Sequence, residues 1–319
     1  MINNAGPSNS AAVLDEGVGP PSLSRLSDAD LSSMLLIRHF EKNLLKLFEQ
    51  GFLHGTTHTC LGQEYVPVTV TSLLGDADHV FSNHRGHGHY LARYADAEGL
   101  LAELLGRAGA VCGGVGGSQH LLRERFLSTG VQGQSLPVAA GVAWNLKRST
   151  PGALACVYTG DGTWGEGVVY EALNITALWE LPLLVVTENN GIAQSTPTGQ
   201  HMAGDVRGRA AAFGIAYERF TDTDVTRLRA ALQPLVEQVR HMSRPLVVEF
   251  VTHRLGPHSK GDDSRSPAEL RAVRAADWAL RYAAAHPEQF ERIDAEQSRR
   301  VEQVVAEVLA RPLTDWSPR

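Results

Sequence analysis

The chain has 319 residues, 43% of them hydrophobic and 20% charged, with a formal net charge of −6. Those values describe a globular protein with room for a substantial core, and they exclude a disordered chain and a basic nucleic-acid footprint. No apolar run approaches the roughly eighteen residues of a spanning helix. The start lacks a secretory pattern, and the three cysteines show neither metal spacing nor a paired framework, which predicts a soluble protein of a reducing cytoplasm.

Residues 1–22 are rich in Asn, Ser, Gly and Pro without periodicity and read as a disordered tail, leaving 23–319 as one domain. Ser27-Asp-Ala-Asp30 resembles a capping box with Asp in place of Glu or Gln. Leu31, Met34, Leu35, Leu45 and Phe48 follow at helical spacing, so residues 28–50 read as one helix that Gly51 closes. His58 then precedes Gly62-Gln63-Glu64 by four residues. A short helix over 64–74, with Pro67 near its first turn, is ended by Gly75. Next comes Val80-Phe-Ser-Asn-His84-Arg85-Gly86-His87-Gly88-His89. A guanidinium binds phosphate oxygens bidentately and glycines let the chain pass near a ligand, although three histidines so close together also allow a zinc reading.

A helix over 97–107 leads to the glycine-rich stretch Cys112-Gly-Gly-Val-Gly-Gly-Ser118-Gln119-His120, then to Thr129-Gly130-Val131-Gln132-Gly133 and an Ala-rich helix over 136–147. Residues 153–159 have the length and branching of a buried strand. Gly160-Asp161-Gly162 makes a tight turn, 166–179 reads as a helix, and the apolar strand 183–187 ends in Glu188-Asn189-Asn190. Such a βαβ unit collects ligands at the carboxyl ends of its strands, and glycines before a helix start favour an anion. Asp161 and Asn190 each bring an oxygen to that crevice, and a carboxylate with an amide oxygen beside a phosphate suits magnesium. A helix over 224–241, a strand over 245–252, the loop Arg254-Leu-Gly-Pro-His258-Ser259 and a mostly helical end from Ser266-Pro267 complete the chain.

Gly160-Asp161-Gly162 followed by Asn189-Asn190 resembles the cofactor motif of thiamine-diphosphate enzymes. The wider pattern, over roughly residues 28–275, resembles the alpha subunits of 2-oxo acid and acetoin dehydrogenases. The resemblance implies an α/β thiamine-diphosphate-binding fold, a mostly parallel sheet flanked by helices that forms the diphosphate-binding half of a split site. It implies magnesium on Asp161, Asn190 and the main-chain carbonyl of Ile192, where a tyrosine is common. It assigns thiamine diphosphate to His84, Arg85, Gly130, Gln132, Asp161, Gly162, Thr163, Asn190 and Arg254, and catalytic roles to His58, His87 and His258, with His84 and His87 lining the pocket. Val115, Gln119 and Gly256-Pro257 depart from the pattern, which carries lysine, methionine and a His or Arg there.

With the resemblance spanning roughly residues 28–275, the pyrimidine-binding domain is not expected in what remains of the chain. A separate beta subunit is therefore expected to supply the activating glutamate in a heterotetramer of two alpha and two beta chains. A lipoyl domain or a carrier protein would take the acyl or two-carbon unit released from a 2-oxo acid or acetoin. Two alternatives remain: a transketolase-like transfer from a ketose phosphate to a carrier-protein thiol, and a non-catalytic scaffold that keeps only the fold.

Overall fold

In the computed structural model, which describes residues 22–53, 55–259 and 263–315, the branched apolar runs become strands of one sheet. The tail read over 1–22 lies, apart from Ser22, outside the described residues, as do 260–262 in the loop after His258. The sheet contains β1 (His79–Ser82), β2 (Leu122–Arg123), β3 (Phe126–Ser128), β4 (Ala155–Gly160) and β5 (Leu183–Asn189). A small hairpin, β6 (Ile192–Ala193) with β7 (Thr196–Pro197), stands apart, and β8 (Ala216–Phe220) and β9 (Leu246–Val251) complete the sheet. The strand order is β2-β3-β1-β4-β5-β9-β8, parallel throughout except for the β2–β3 pair.

The helices are α1 (Asp28–Glu49), α2 (Tyr65–Thr71), α3 (His87–Tyr94), α4 (Ala97–Leu105), α5 (Ser135–Ser149) and α6 (Gly167–Leu178). They continue with α7 (Thr198–His201), α8 (Val206–Ala212), α9 (Val225–Met242), α10 (Pro267–Ala275), α11 (Trp278–Ala285) and α12 (Pro287–Ala310). Successive strand residues point to opposite faces, so a sheet covered on both sides needs apolar side chains at every position. Cys156 and Tyr158 of β4, Leu184 and Val186 of β5 and Val248 and Phe250 of β9 join the core under α1, α2, α9, α11 and α12. Their neighbours Ala155, Val157, Leu183, Val185 and Val247 join the other core, under α5, α6 and α8.

The expected strands and long helices form within a few residues of their read boundaries. Six strands were not legible: β1, β2, β3, β6 and β7 are only two to four residues long, and edge strand β8 carries Glu218 and Arg219 on a solvated surface. The turn after β4 is a 3-10 helix, Asp161–Gly165, and α6 begins only at Gly167. Of the two N-terminal signatures, Ser27 caps α1 by accepting from the Asp30 amide, whereas Ser266 and Glu269 form a complete capping box at α10.

One buried ionic knot ties the two ends of the chain together. Arg38 of α1 donates to both carboxylate oxygens of Glu64 at 2.9 and 3.2 Å and to both of Asp277 at 2.8 and 2.7 Å. Trp278 Nε1 donates to Glu64 at 2.7 Å, and the indole lies under the guanidinium, 4.6 Å from it. Among the described residues, no helix is long and apolar enough to cross a membrane.

Candidate active site

The carboxyl ends of β1, β4 and β5 open on a cavity of about 340 Å³. Here the sheet order reverses, because β1 pairs with β3 on one side and with β4 on the other, which leaves a crevice between diverging connections. Gly160 to Thr163 enter from β4, and Glu188, Asn190 and Ile192 from β5 and the turn after it. Asn83, His84 and Arg85 follow β1, and His58, Gln63, Gln119, Gly130, Gln132 and His258 complete the wall.

Three residues that carry oxygen donors line the cavity. Asp161 is 2% exposed, and its Oδ2 accepts from the Thr198 hydroxyl. Asn190 and Ile192 line the same cavity, with Asn190 Oδ1 accepting the Ile192 amide at 3.3 Å. The other member of the asparagine pair turns away: Asn189 Nδ2 donates to Glu249 at 2.6 Å. A carboxylate, an amide oxygen and a carbonyl form a hard donor set suited to magnesium. Beside them only glycine fits at position 162, where a Cβ would stand 2.7 Å from that of Ala193.

Two further groups suit a ligand that is itself polar and anionic. Gln63 is 1% exposed, lines the cavity, and has no hydrogen-bond partner among the described residues for either amide atom. An amide left so is costly unless something binds it. Arg85 is also buried, yet no carboxylate among the described residues pairs with it. Its contacts are the Thr59 carbonyl at 2.7 Å and the carbonyl and Nδ1 of His258 at 3.2 and 3.1 Å. Burial, then the charge of Arg254, pushes its guanidinium down to about 10. A buried cation without a counter-ion is a place for a phosphate.

The histidines separate. His58, His84 and His258 pack ring to ring, with centroids 4.8, 4.6 and 5.4 Å apart. His87, expected at the pocket, is not in its wall. It is fully buried, with Nδ1 3.3 Å from both oxygens of Glu41 and Nε2 2.9 Å from the Ser118 hydroxyl. The fully buried Glu41 carboxylate needs such a partner, and it holds His87 away from any ligand. His89 stacks on Tyr158 at 3.7 Å, with Ser82 2.7 Å from Nδ1 and Glu188 3.3 Å from Nε2. The three histidines of the segment therefore serve three separate partners and form no zinc cluster.

The glycine-rich stretch is a nest around its own anion. The amides of Cys112, Gly114, Gly116 and Gly117 donate to the buried Glu103 carboxylate at 2.6, 2.9, 2.7 and 3.2 Å. The result presents Gln119 to the cavity, a side chain sequence reasoning noticed only as a departure. Gln132 was expected at the cofactor, but the partners of its side chain were not legible. Its Oε1 accepts from Thr163 at 3.0 Å, and its Nε2 reaches His84 at 2.8 Å. Arg254 is buried one contact behind the wall, 3.5 Å from His258 Nδ1 and 3.4 Å from the Gln194 carbonyl.

Burial, reinforced by the charge of Arg85, holds the His84 imidazole well below its usual 6.5. The folded ring resists a proton that the unfolded ring accepts, so the unfolded state binds more protons below pH 6.5 and stability falls as the pH falls. His79 and His253, also lowered by burial, act in the same direction. The melting temperature should be flat from pH 8 to 7 and decline from about 6.5 toward 5, each ring contributing at most about 1.4 kcal/mol per pH unit. A shallower decline in His84→Gln, followed by calorimetry, is the expected check.

Residues 32–311 match the family described as the dehydrogenase E1 component. The Rhizobium meliloti pyruvate dehydrogenase E1 component subunit alpha is 35% identical over 248 residues, 76% of this chain and 71% of that protein. The subunit alpha of acetoin:2,6-dichlorophenolindophenol oxidoreductase from Bacillus subtilis is 36% identical over 233 residues, 72% of this chain and 70% of its own. Its Cupriavidus necator counterpart is 32% identical over 293 residues, 88% of each chain.

Proposed function

The chain belongs to the dehydrogenase E1 component family, and from that premise we propose that it is the alpha subunit of a thiamine-diphosphate-dependent 2-oxo acid or acetoin dehydrogenase. One observation carries the reading: Asp161, Asn190 and Ile192 share a cavity with Arg85, a buried cation that no carboxylate among the described residues neutralises. When bound, thiamine diphosphate supplies the nucleophilic carbon and the electron sink on which a carbonyl substrate is cleaved.

This chain's part is to bind and orient. Asp161, Asn190 and the Ile192 carbonyl hold magnesium. Gly162, Thr163, His84 and Arg85 receive the diphosphate, with Arg254 supporting from behind His258. Gly130 and Gln132 offer main-chain groups to the pyrimidine ring. His58 and His258 stand at the reacting carbonyl, where they orient its oxygen and exclude water. His87 acts at one remove, by holding the glycine-rich loop through Ser118.

A beta subunit completes the site with the glutamate that activates the ring. Exposed apolar side chains beside the cavity and on the outer helices support such a partner: Val131 is 56% and Leu178 73% exposed, with Val138, Trp144 and Trp179 also uncovered. Native mass spectrometry of the chain isolated from its source, with magnesium and thiamine diphosphate, should give a heterotetramer with bound cofactor and no activity for the chain alone. A cofactor-free monomer or homodimer would favour the scaffold alternative. Product analysis identifies the donor: carbon dioxide from pyruvate, acetaldehyde from acetoin, or an aldose phosphate from a ketose phosphate. A lipoyl domain or carrier protein isolated with the tetramer identifies the acceptor.

A further inference from the structure

Of the buried polar side-chain atoms that lack a partner among the described residues, only the two amide atoms of Gln63 belong to the cavity wall. Asn83, Asn190 and Gln132 of the same wall are engaged within the chain. Asn83 Oδ1 accepts the Arg85 amide at 2.9 Å, Asn190 Oδ1 accepts the Ile192 amide at 3.3 Å, and Gln132 bonds through both its oxygen and its nitrogen. The backbone holds Gln63 where it is. Its amide donates to the Cys60 carbonyl at 2.9 Å, and its carbonyl accepts from Val66 at 3.1 Å. On one side Gly62, at φ +93°, crosses the His253 carbonyl too closely for any side chain; on the other, Glu64 is bound by Arg38 and Trp278. The Leu61 carbonyl accepts the Leu255 amide at 3.0 Å, which joins this segment to the one carrying His258. A buried amide fixed in place and unbonded at both ends is costly to the fold, and a ligand that bonds both ends relieves that cost.

We propose that Gln63 reads the substrate, and that the group it takes is a hydroxyl beside a carbonyl, the α-hydroxy ketone of acetoin or of a ketose phosphate. The proposal rests on the alpha-subunit reading above, which places His58 and His258 at the reacting carbonyl. A carboxamide presents a donor and an acceptor side by side: Nε2 carries hydrogens and Oε1 carries lone pairs. An α-hydroxy ketone answers both, since its carbonyl oxygen takes the Nε2 hydrogen and its hydroxyl donates to Oε1. An ionised 2-oxo acid has oxygens that only accept. It can bond Nε2, but it leaves Oε1 facing another lone pair at a side chain that is 1% exposed and has no water to turn to. A site built to bond a substrate hydroxyl rejects the analogue that lacks it, because the buried polar group is then left unpaired. Gln63 therefore selects the hydroxy ketone over the 2-oxo acid.

The first test needs no ligand. In the full chain, Gln63→Met removes the amide without removing a side-chain hydrogen bond of the fold, so the melting temperature should rise by about 1–3 °C. A fall would mean that the amide is bonded within the protein and would overturn the proposal. The second test uses the enzyme assembled with its partner, magnesium and thiamine diphosphate, supplied with acetoin, xylulose phosphate or pyruvate. The parent should show a higher kcat/KM for one of the hydroxy ketones than for pyruvate, and release of acetaldehyde or of an aldose phosphate tells which. Gln63→Met should lower that preference about 10–100-fold, the effect of two lost hydrogen bonds. A parent that prefers pyruvate, or an unchanged preference in Gln63→Met, would overturn the proposal and leave the alpha-subunit reading standing. A parent that binds no cofactor and cleaves none of the three would overturn both. Gln63→Leu repeats the two tests should Gln63→Met fail to fold.

Discussion

Asp161→Ala is expected to abolish magnesium-dependent binding of thiamine diphosphate while leaving the fold in place. Asp161 directly follows β4, the strand paired with β1 and β5 at the reversal of the sheet, and it lines the cavity with Asn190 and Ile192. Glu188 is engaged with His89 at 3.3 Å, and Glu249 is held by Asn189 at 2.6 Å. Removing groups that merely orient a metal ligand typically weakens metal binding about 10–100-fold, so loss of the ligand itself should cost about 100-fold or more. The structural cost is small by comparison, since the Thr198 hydroxyl loses one acceptor, roughly 1 kcal/mol. Calorimetric titration of the assembled enzyme with the cofactor, with and without magnesium, separates the two effects. Unchanged affinity would refute the metal assignment.

Arg38→Met should have the largest effect on stability. The guanidinium is held between two carboxylates, Glu64 and Asp277, and burial leaves neither able to turn to water. Its pKa is raised by those two carboxylates against the opposing effect of burial. Replacing the buried ionic group as a whole with apolar residues can be neutral, but removing one member strands the others and costs about 3–5 kcal/mol. Here two like charges are left facing each other, so the upper part of that range is expected. Urea denaturation followed by tryptophan fluorescence measures it, and a loss below about 1 kcal/mol would show that the knot is not what holds α1 to the end of the chain.

The same substitution should reach the cavity. Glu64 also accepts the Gly62 amide at 2.9 Å, and Gly62 has φ +93°, where a Cβ would lie 2.1 Å from the His253 carbonyl. That tight crossing fixes the segment carrying His58, so a free Glu64 should loosen both the anchor and this cavity histidine. A weaker cofactor response in Arg38→Met than in the parent chain is the expected companion result.

The central unit was legible because its signals are local. Buried parallel strands read as unbroken branched runs, and a turn rich in glycine before a helix marks an anion site, so Asp161 and Asn190 could be placed on neighbouring strand ends from spacing alone. The long helices, the N-cap at Ser27 and the helix start at Ser266-Pro267 were legible for the same reason: each depends on residues within three or four positions.

What the sequence could not decide is which way equivalent side chains point. His84, His87 and His89 look alike in the chain, yet α3 starts at His87 and sends each ring to a different environment. Their partners are remote: Gln132 lies 48 residues from His84, while Glu41 and Ser118 lie 46 and 31 residues from His87. The same holds for the knot at Arg38, whose partner Asp277 is 239 residues away. Sequence by itself determined the α/β unit, which short-range periodicity carries, and the family, which the resemblance of its motifs carries. Tertiary structure alone decided that His87 is buried against Glu41 and Ser118 and that Glu103 fills the glycine-rich nest. Those outcomes depend on buried charges and amides finding partners across the folded chain, and the cost of leaving them unsatisfied appears only once the fold has removed water.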